Sequence, residues 1–122
     1  MALFKFTDAI LNDRPIDVYN HGKMKRDFTY VDDLVRALSM LIDAAPVTGQ
    51  PASDNDSLSP VAPFRVLNIG NNSPVELGDF IRAIECSCGK TAVKNLMPMQ
   101  AGNVPATRAD TSLLHALTQY KP

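Results

Sequence analysis

Residues 46–63 limit what this chain can fold into more than any other stretch. Four of its nine prolines fall there, among Ser, Asp, Asn and Gly, with almost nothing large and apolar. Such a segment cannot supply a core and reads as a flexible surface loop. The fold must come from the residues on either side. The chain has 122 residues, enough for one domain and one core. A net charge of −1, with no basic stripe beyond residues 23–26, argues against a nucleic-acid partner. No apolar run approaches the roughly 18–20 residues of a membrane span. The start, Ala2-Leu3-Phe4-Lys5-Phe6, lacks the basic-then-apolar layout of a signal peptide.

The periodicities order the elements. Leu3, Phe6, Ile10 and Leu11 recur at helical spacing and predict a helix over 2–12, ended by Asn12-Asp13-Arg14-Pro15. Ile16–Tyr19 alternates as a short strand, Asn20-His21-Gly22 is a turn, and 27–31 reads as a second strand. Asp32 is an N-cap for a helix striped by Leu34, Val35, Leu38, Leu41, Ile42 and Ala45 and stopped by Pro46. Residues 64–69 read as a strand ending at Gly70. Ser73-Pro74-Val75-Glu76 has the form of a capping box with proline at the first helical position. Leu77, Phe80, Ile81, Ile84 and Cys88 form the stripe behind it, and Gly89 suits the C-terminal cap. Residues 92–97 predict a strand, 98–108 a loop, and Asp110 caps a last helix with Leu113, Leu114 and Leu117. Mixed helices and strands in this order predict an α/β arrangement.

Several short patterns look chemical and are not. Tyr19 and Lys23 match the Tyr-x-x-x-Lys acid/base pair of short-chain dehydrogenases, but that pair needs one helical face and here a turn intervenes. Gly89-Lys90-Thr91 follows a helix rather than opening one, and no Gly-x-Gly-x-x-Gly occurs. Cys86 and Cys88 have no further cysteine to complete a zinc site, and His21 and His115 are distant in sequence. The cysteines read as two reduced thiols, at least one packed as a small apolar side chain, in a reducing compartment. No metal site is expected.

The block Lys23-Met24-Lys25-Arg26-Asp27-Phe28 concentrates three cations in four residues before an apolar stretch. An arginine there, on rigid backbone, can hold phosphate oxygens with a planar fork that lysine lacks. This block, with Met1–Phe6, Ile16–Asp33, Arg65–Leu77 and Lys94–Asp110, resembles the C-terminal part of bacterial UDP-glucuronate 4-epimerases. These are NAD-dependent sugar-nucleotide epimerases of the extended short-chain dehydrogenase/reductase superfamily. The resemblance runs end to end apart from 46–63.

The resemblance implies a C-terminal, substrate-binding fragment of a Rossmann-type fold. The N-terminal NAD-binding part, the catalytic residues and the last helix are expected to lie outside this chain, which would be roughly a third of an enzyme. Residues 1–122 would then be a partial UDP-sugar-binding portion, with no catalytic and no cofactor-binding residue of its own. Among its residues, the resemblance places Arg26 on the UDP diphosphate and Asp17 and Tyr19 on the strand lining the uridine pocket. Val75 falls near the nucleotide. Gln100 and Thr107 fall in the loop that closes over diphosphate and ribose; galactose-type relatives carry an arginine at the place of Gln100. Ala101, Asn103 and Arg108 depart from the usual Pro, Asp and Tyr of the family. The implied partners are UDP-glucuronate and UDP-galacturonate, with NAD bound by the rest of a cytoplasmic, homodimeric parent. The alternatives are a non-catalytic truncated remnant or binding fragment, or part of a related nucleotide-sugar dehydratase or decarboxylase.

Overall fold

A computed structural model describes residues 2–122; Met1, which opens the first matching block, lies outside the described residues. The chain divides into two compact units, one of residues up to 26 and 74–107, the other of 27–73 and 108–122.

The first unit is built on two amphipathic helices and two short ribbons. Helix α1 spans Ala2–Leu11. Its C-terminal end is tied by the Lys90 ammonium, which donates to the Leu11 carbonyl at 3.0 Å and the Asp13 carboxylate at 2.9 Å. That satisfies a carbonyl with no partner inside the helix and places a cation at the negative end of its dipole. Strand β1, Ile16–Val18, follows Pro15, with Ile16 and Val18 turned inward and Asp17 outward. A second strand, β2, is only Lys25–Arg26. After the second unit's residues come β3 (Val75–Glu76), helix α3 (Leu77–Cys88) and β4 (Lys94–Leu96).

Strand β1 pairs with β4 in parallel, Asp17 opposite Asn95, and β2 pairs with β3 antiparallel, Arg26 opposite Val75. Ile10, Ile16, Val18, Ile81, Ile84 and Ala92 form one buried cluster, flanked by Phe6, Leu77, Phe80 and Cys88. Cys88 therefore packs beside the core, and Cys86 is exposed. Gly89 ends α3 at φ 63°, with its own N–H and that of Lys90 closing on Cys86 and Glu85. This is the left-handed C-cap anticipated for that glycine. Beyond it, the Glu85 carboxylate accepts the Ala92 N–H at 2.9 Å and pairs with Lys94 at 2.9 Å. The Lys94 hydrogen bond, then that N–H, then the charges of Lys94 and Arg82 outweigh burial and hold its carboxyl below the usual range.

The second unit holds α2 (Val31–Ile42) and α4 (Ser112–Thr118). Ala37, Gly70, Thr111 and Leu114 are its buried residues. The Tyr120 hydroxyl donates to Asp33 at 2.7 Å, and the Arg36 guanidinium lies 4.9 Å from the Tyr120 ring centroid. Residues 46–63 are tied down at Asp56. Its carboxylate accepts both fork nitrogens of Arg65, at 2.9 and 2.8 Å, and the Ala52 and Leu58 N–H groups. Both partners of this ion pair are nearly free of solvent. Burial alone would raise the Asp56 carboxyl; the Arg65 hydrogen bond, the Ala52 N–H, the Arg65 charge and the Leu58 N–H together lower it.

Five local expectations are corrected. The strand expected at 27–31 is at 25–26 instead, because a strand needs a paired neighbour and only Lys25 and Arg26 have one, in Glu76 and Val75. The cap of α2 is Tyr30, in extended conformation, with Asp32 and Asp33 in the first turn. Ser73 does not cap α3. Val75 and Glu76 are drawn into the ribbon, so the helix starts at Leu77 with Glu76 as its cap. Residues 64–69 form no strand. Their backbone is held by Ser57, whose hydroxyl both donates to the Val66 carbonyl and accepts its N–H. At α4 the cap is Thr111 rather than Asp110, whose carboxylate takes the Ser112 N–H at 3.0 Å.

Candidate functional site

The cation-rich block lies between strand β3 and the segment 105–107, which meets it through an isolated bridge. On one side, Arg26 stands opposite Val75 and Lys25 opposite Glu76. On the other, the Lys25 N–H donates to the Pro105 carbonyl at 2.8 Å and the Thr107 N–H to the Lys25 carbonyl at 3.3 Å. Lys25 and Ala106 form an isolated parallel bridge there. Backbone pairing thus gathers Arg26, Val75 and Thr107 into one ribbon, although they are spread over 82 positions of the chain. Arg26 is half-buried as a residue, and its guanidinium donates from Nη1 to the Lys25 carbonyl at 2.7 Å in an exposed bond. Among the described residues no carboxylate pairs with it, whereas Lys25 pairs with Glu76 at 2.9 Å. Arg26 is therefore the cation whose fork is uncommitted to an anion.

The other sequence-derived candidates lie on the β1–β4 ribbon or just after it. Asp17 points outward and accepts a hydrogen bond from the Asn95 amide at 2.8 Å. Tyr19 opens a short 3-10 turn, Tyr19–Gly22, in which Asn20 and His21 are left-handed at φ 51° and 49°. Tyr19 and Lys23 consequently do not share a helical face. The His21 N–H donates to the Met97 carbonyl at 3.0 Å, fastening that turn to the end of β4. Gln100 is exposed and sits in its own turn, its carbonyl accepting the Asn103 N–H at 3.2 Å and its side chain facing the Asn103 amide. Neither of these bonds reaches any of the other five candidates. All six belong to the first unit.

The described residues do not form a dinucleotide cradle. Such a cradle needs a glycine turn opening a helix, so that bare N–H groups face the phosphates. Helix α2 opens on Tyr30 with two carboxylates in its first turn, α3 opens on Glu76, and α4 on Thr111. These ends suit protein packing, not a pyrophosphate. No group of three or more His, Cys, Asp or Glu side chains could hold a metal ion among the described residues.

Asp27, next to Arg26, escaped the sequence reading. Its carboxylate accepts N–H groups from Asn72 (3.1 Å), Ser73 (3.3 Å) and Ala109 (2.9 Å). The sequence signal available was only a carboxylate directly after the arginine; the buried Gly70 against it is seen in the structure.

Comparison with known proteins places this arrangement. A profile of the NAD dependent epimerase/dehydratase family matches residues 1–53. Protein CapI of Staphylococcus aureus is 54% identical over the whole chain, which covers 37% of that protein. The chain is thus similar to the NAD dependent epimerase/dehydratase family. A probable UDP-glucuronate 4-epimerase of Rhizobium meliloti is 50% identical, again with 37% of its length covered. The UDP-glucuronic acid 4-epimerase of Bacillus cereus, solved with UDP-glucuronic acid and NAD, superposes over the whole chain with a TM-score of 0.77 at 29% identity. The chain covers 34% of that structure. Its mixed α/β architecture is thus that of part of a short-chain dehydrogenase/reductase-type epimerase with a Rossmann fold. The chain spans about a third of the length of the curated relatives it matches. No helix among the described residues is long and apolar enough to cross a membrane.

Proposed function

We propose that this chain is the UDP-sugar-gripping portion of a UDP-glucuronate 4-epimerase, with Arg26 on the diphosphate. The observation that carries the reading is the ribbon itself. It puts Arg26, Val75 and Thr107 on one paired backbone, with no carboxylate paired to the guanidinium among the described residues. A fork held on rigid strands is the geometry that bidentate phosphate recognition needs. Asp17 and Tyr19 would line the uridine side and Gln100 would close over the ligand. The identity to a probable UDP-glucuronate 4-epimerase over the whole chain supports the same substrate class. In this reading the chain contributes substrate grip and no hydride or proton transfer. NAD belongs to the remainder of the enzyme, which would act on UDP-glucuronate and UDP-galacturonate as a cytoplasmic homodimer, with neither nucleic acid nor membrane as partner.

Calorimetric titration of UDP-glucuronate into the chain and into its Arg26→Ala variant tests this. Truncating one partner of a hydrogen-bonded charge pair costs about 2–5 kcal/mol. Arg26→Ala is expected to weaken binding by roughly 30-fold or more, since about 1.4 kcal/mol is tenfold. Arg26→Lys recovers only part, because a point charge replaces a fork. Equal affinity in wild type and Arg26→Ala would return Arg26 to a solvated charge on a strand edge.

A further inference from the structure

The three segments that make the Arg26 ribbon are stitched a second time, one or two residues along the chain. Arg26 is followed by Asp27, Val75 is preceded at two residues by Ser73, and Thr107 is followed at two residues by Ala109. The Asp27 carboxylate accepts the N–H of Asn72, Ser73 and Ala109 at 2.9–3.3 Å. Hydrogen bonds from backbone N–H to a carboxylate are charge-assisted and about twice as strong as neutral ones. The Arg108 guanidinium adds a bond to the Asn72 side chain at 2.6 Å, so the same two segments are joined twice. Gly70 is buried beneath the carboxylate. A Cβ there would stand 2.5 Å from the Ala109 Cβ and 3.4 Å from Asp27 Oδ2. The seat is therefore sized for glycine, for a steric reason rather than a backbone angle.

The ribbon's own backbone pairing is short: a two-residue antiparallel pair, extended by the Leu77 N–H on the Met24 carbonyl at 2.8 Å, and one isolated bridge. A two-stranded ribbon is marginal without further support. We propose that Asp27 is a positioning residue: it holds the three segments in register, so that Arg26, Val75 and Thr107 meet one ligand. Asp27 does not itself touch the ligand in this scheme. The proposal deepens the UDP-sugar reading and rests on it for the identity of that ligand; the register claim stands on the carboxylate's three bonds.

The experiment has two arms on the purified chain: amide hydrogen exchange by NMR, and titration with UDP. Asp27→Asn is expected to speed exchange of the Lys25 and Thr107 N–H groups by about tenfold or more, in line with loss of charged hydrogen bonds. The Ile16 and Met97 N–H groups, which bond Val93 and Val18 across the other ribbon, should keep their wild-type rates. UDP affinity should fall by about tenfold with the Arg26 side chain intact. Gly70→Ala reaches the same clasp without touching the carboxylate and should reproduce the local loss. Gly70→Ala with Ala109→Gly removes the colliding methyl and should restore it, which general destabilisation would not do. Unchanged Lys25 and Thr107 exchange in both single variants overturns the proposal. So does acceleration at all four amides together, or failure of the double variant to recover. If exchange behaves as expected and the wild-type chain ignores UDP, the register role stands and the UDP-sugar reading falls.

Discussion

Helices α2 and α3 each run for 12 residues and each carries an apolar stripe, yet they end in opposite circumstances. In α3 the stripe is covered: Ile81 and Ile84 are 2% and 5% exposed, in a cluster with Ile10, Ile16 and Val18. In α2 only Ala37 is buried, while Val35, Leu38 and Ile42 are 54%, 51% and 77% exposed. The two sequences are equally amphipathic to the eye. A 3.6-residue period says that one face is suited to burial; it does not say which residues will cover it. For α3 the cover comes from α1 and β1. For α2 the described contacts are with the short α4 and, through Asp33 and Arg36, with Tyr120.

Mutations can break that contrast. Ile81→Ala should cost about 2–5 kcal/mol, as truncation of a buried aliphatic side chain does. Ile42→Ala should stay within about 0.5 kcal/mol, as an exposed substitution does. Urea unfolding of both variants measures this; similar losses would mean that α2 is covered in solution. The helix ends differ as well. Gly89 terminates α3 in the left-handed region, whereas Asp43 ends α2 in ordinary helical conformation. Gly89→Ala is expected to destabilise by about 1 kcal/mol, and Asp43→Ala by less, in the same melts.

The smallest and most selective contrast is in pH. Acid acts on both units. The Glu85 carboxyl is lowered by Lys94 and the Ala92 N–H, and that of Asp110 by the Ser112 N–H and hydroxyl, with the Arg108 charge adding. Asp56 is lowered too, with Arg65's bonds overcoming its burial. A lowered carboxyl lends stability above its unfolded value near 4, and loses it as pH falls through the folded value. Alkali separates the units. The hydrogen bond to Asp33, then burial, then the Asp33 charge raise the Tyr120 phenol, with Arg36 opposing. A raised group stabilises fully below its unfolded value, near 10, and its contribution disappears as pH rises through the folded value. Ultraviolet titration should therefore find Tyr120 ionising above pH 10, and Asp33→Asn should bring it down. No change in Asp33→Asn would remove that bond from the account of α2.

Local chemistry was legible wherever a residue acts on its own neighbours. The Gly89 cap, the end of α1 before Pro15, the inward Ile16 and Val18 and the stripe of α3 all follow from side-chain size, period and backbone preference within a few residues. The block around Arg26 also stood out, because three cations before an apolar stretch are uncommon in a chain of net charge −1. Pairing was not legible. The strand expected at 27–31 lies at 25–26, and the helix expected from Ser73 begins at Leu77, because Val75 and Glu76 find partners about fifty residues away. Residues 64–69 have strand composition and no strand partner among the described residues. Hydrogen bonds between distant segments depend on which backbones meet, and that is a property of the folded chain. Asp27 marks the boundary most clearly. In sequence it is one more acid beside an arginine; only the tertiary structure brings Asn72, Ser73 and Ala109 to its carboxylate.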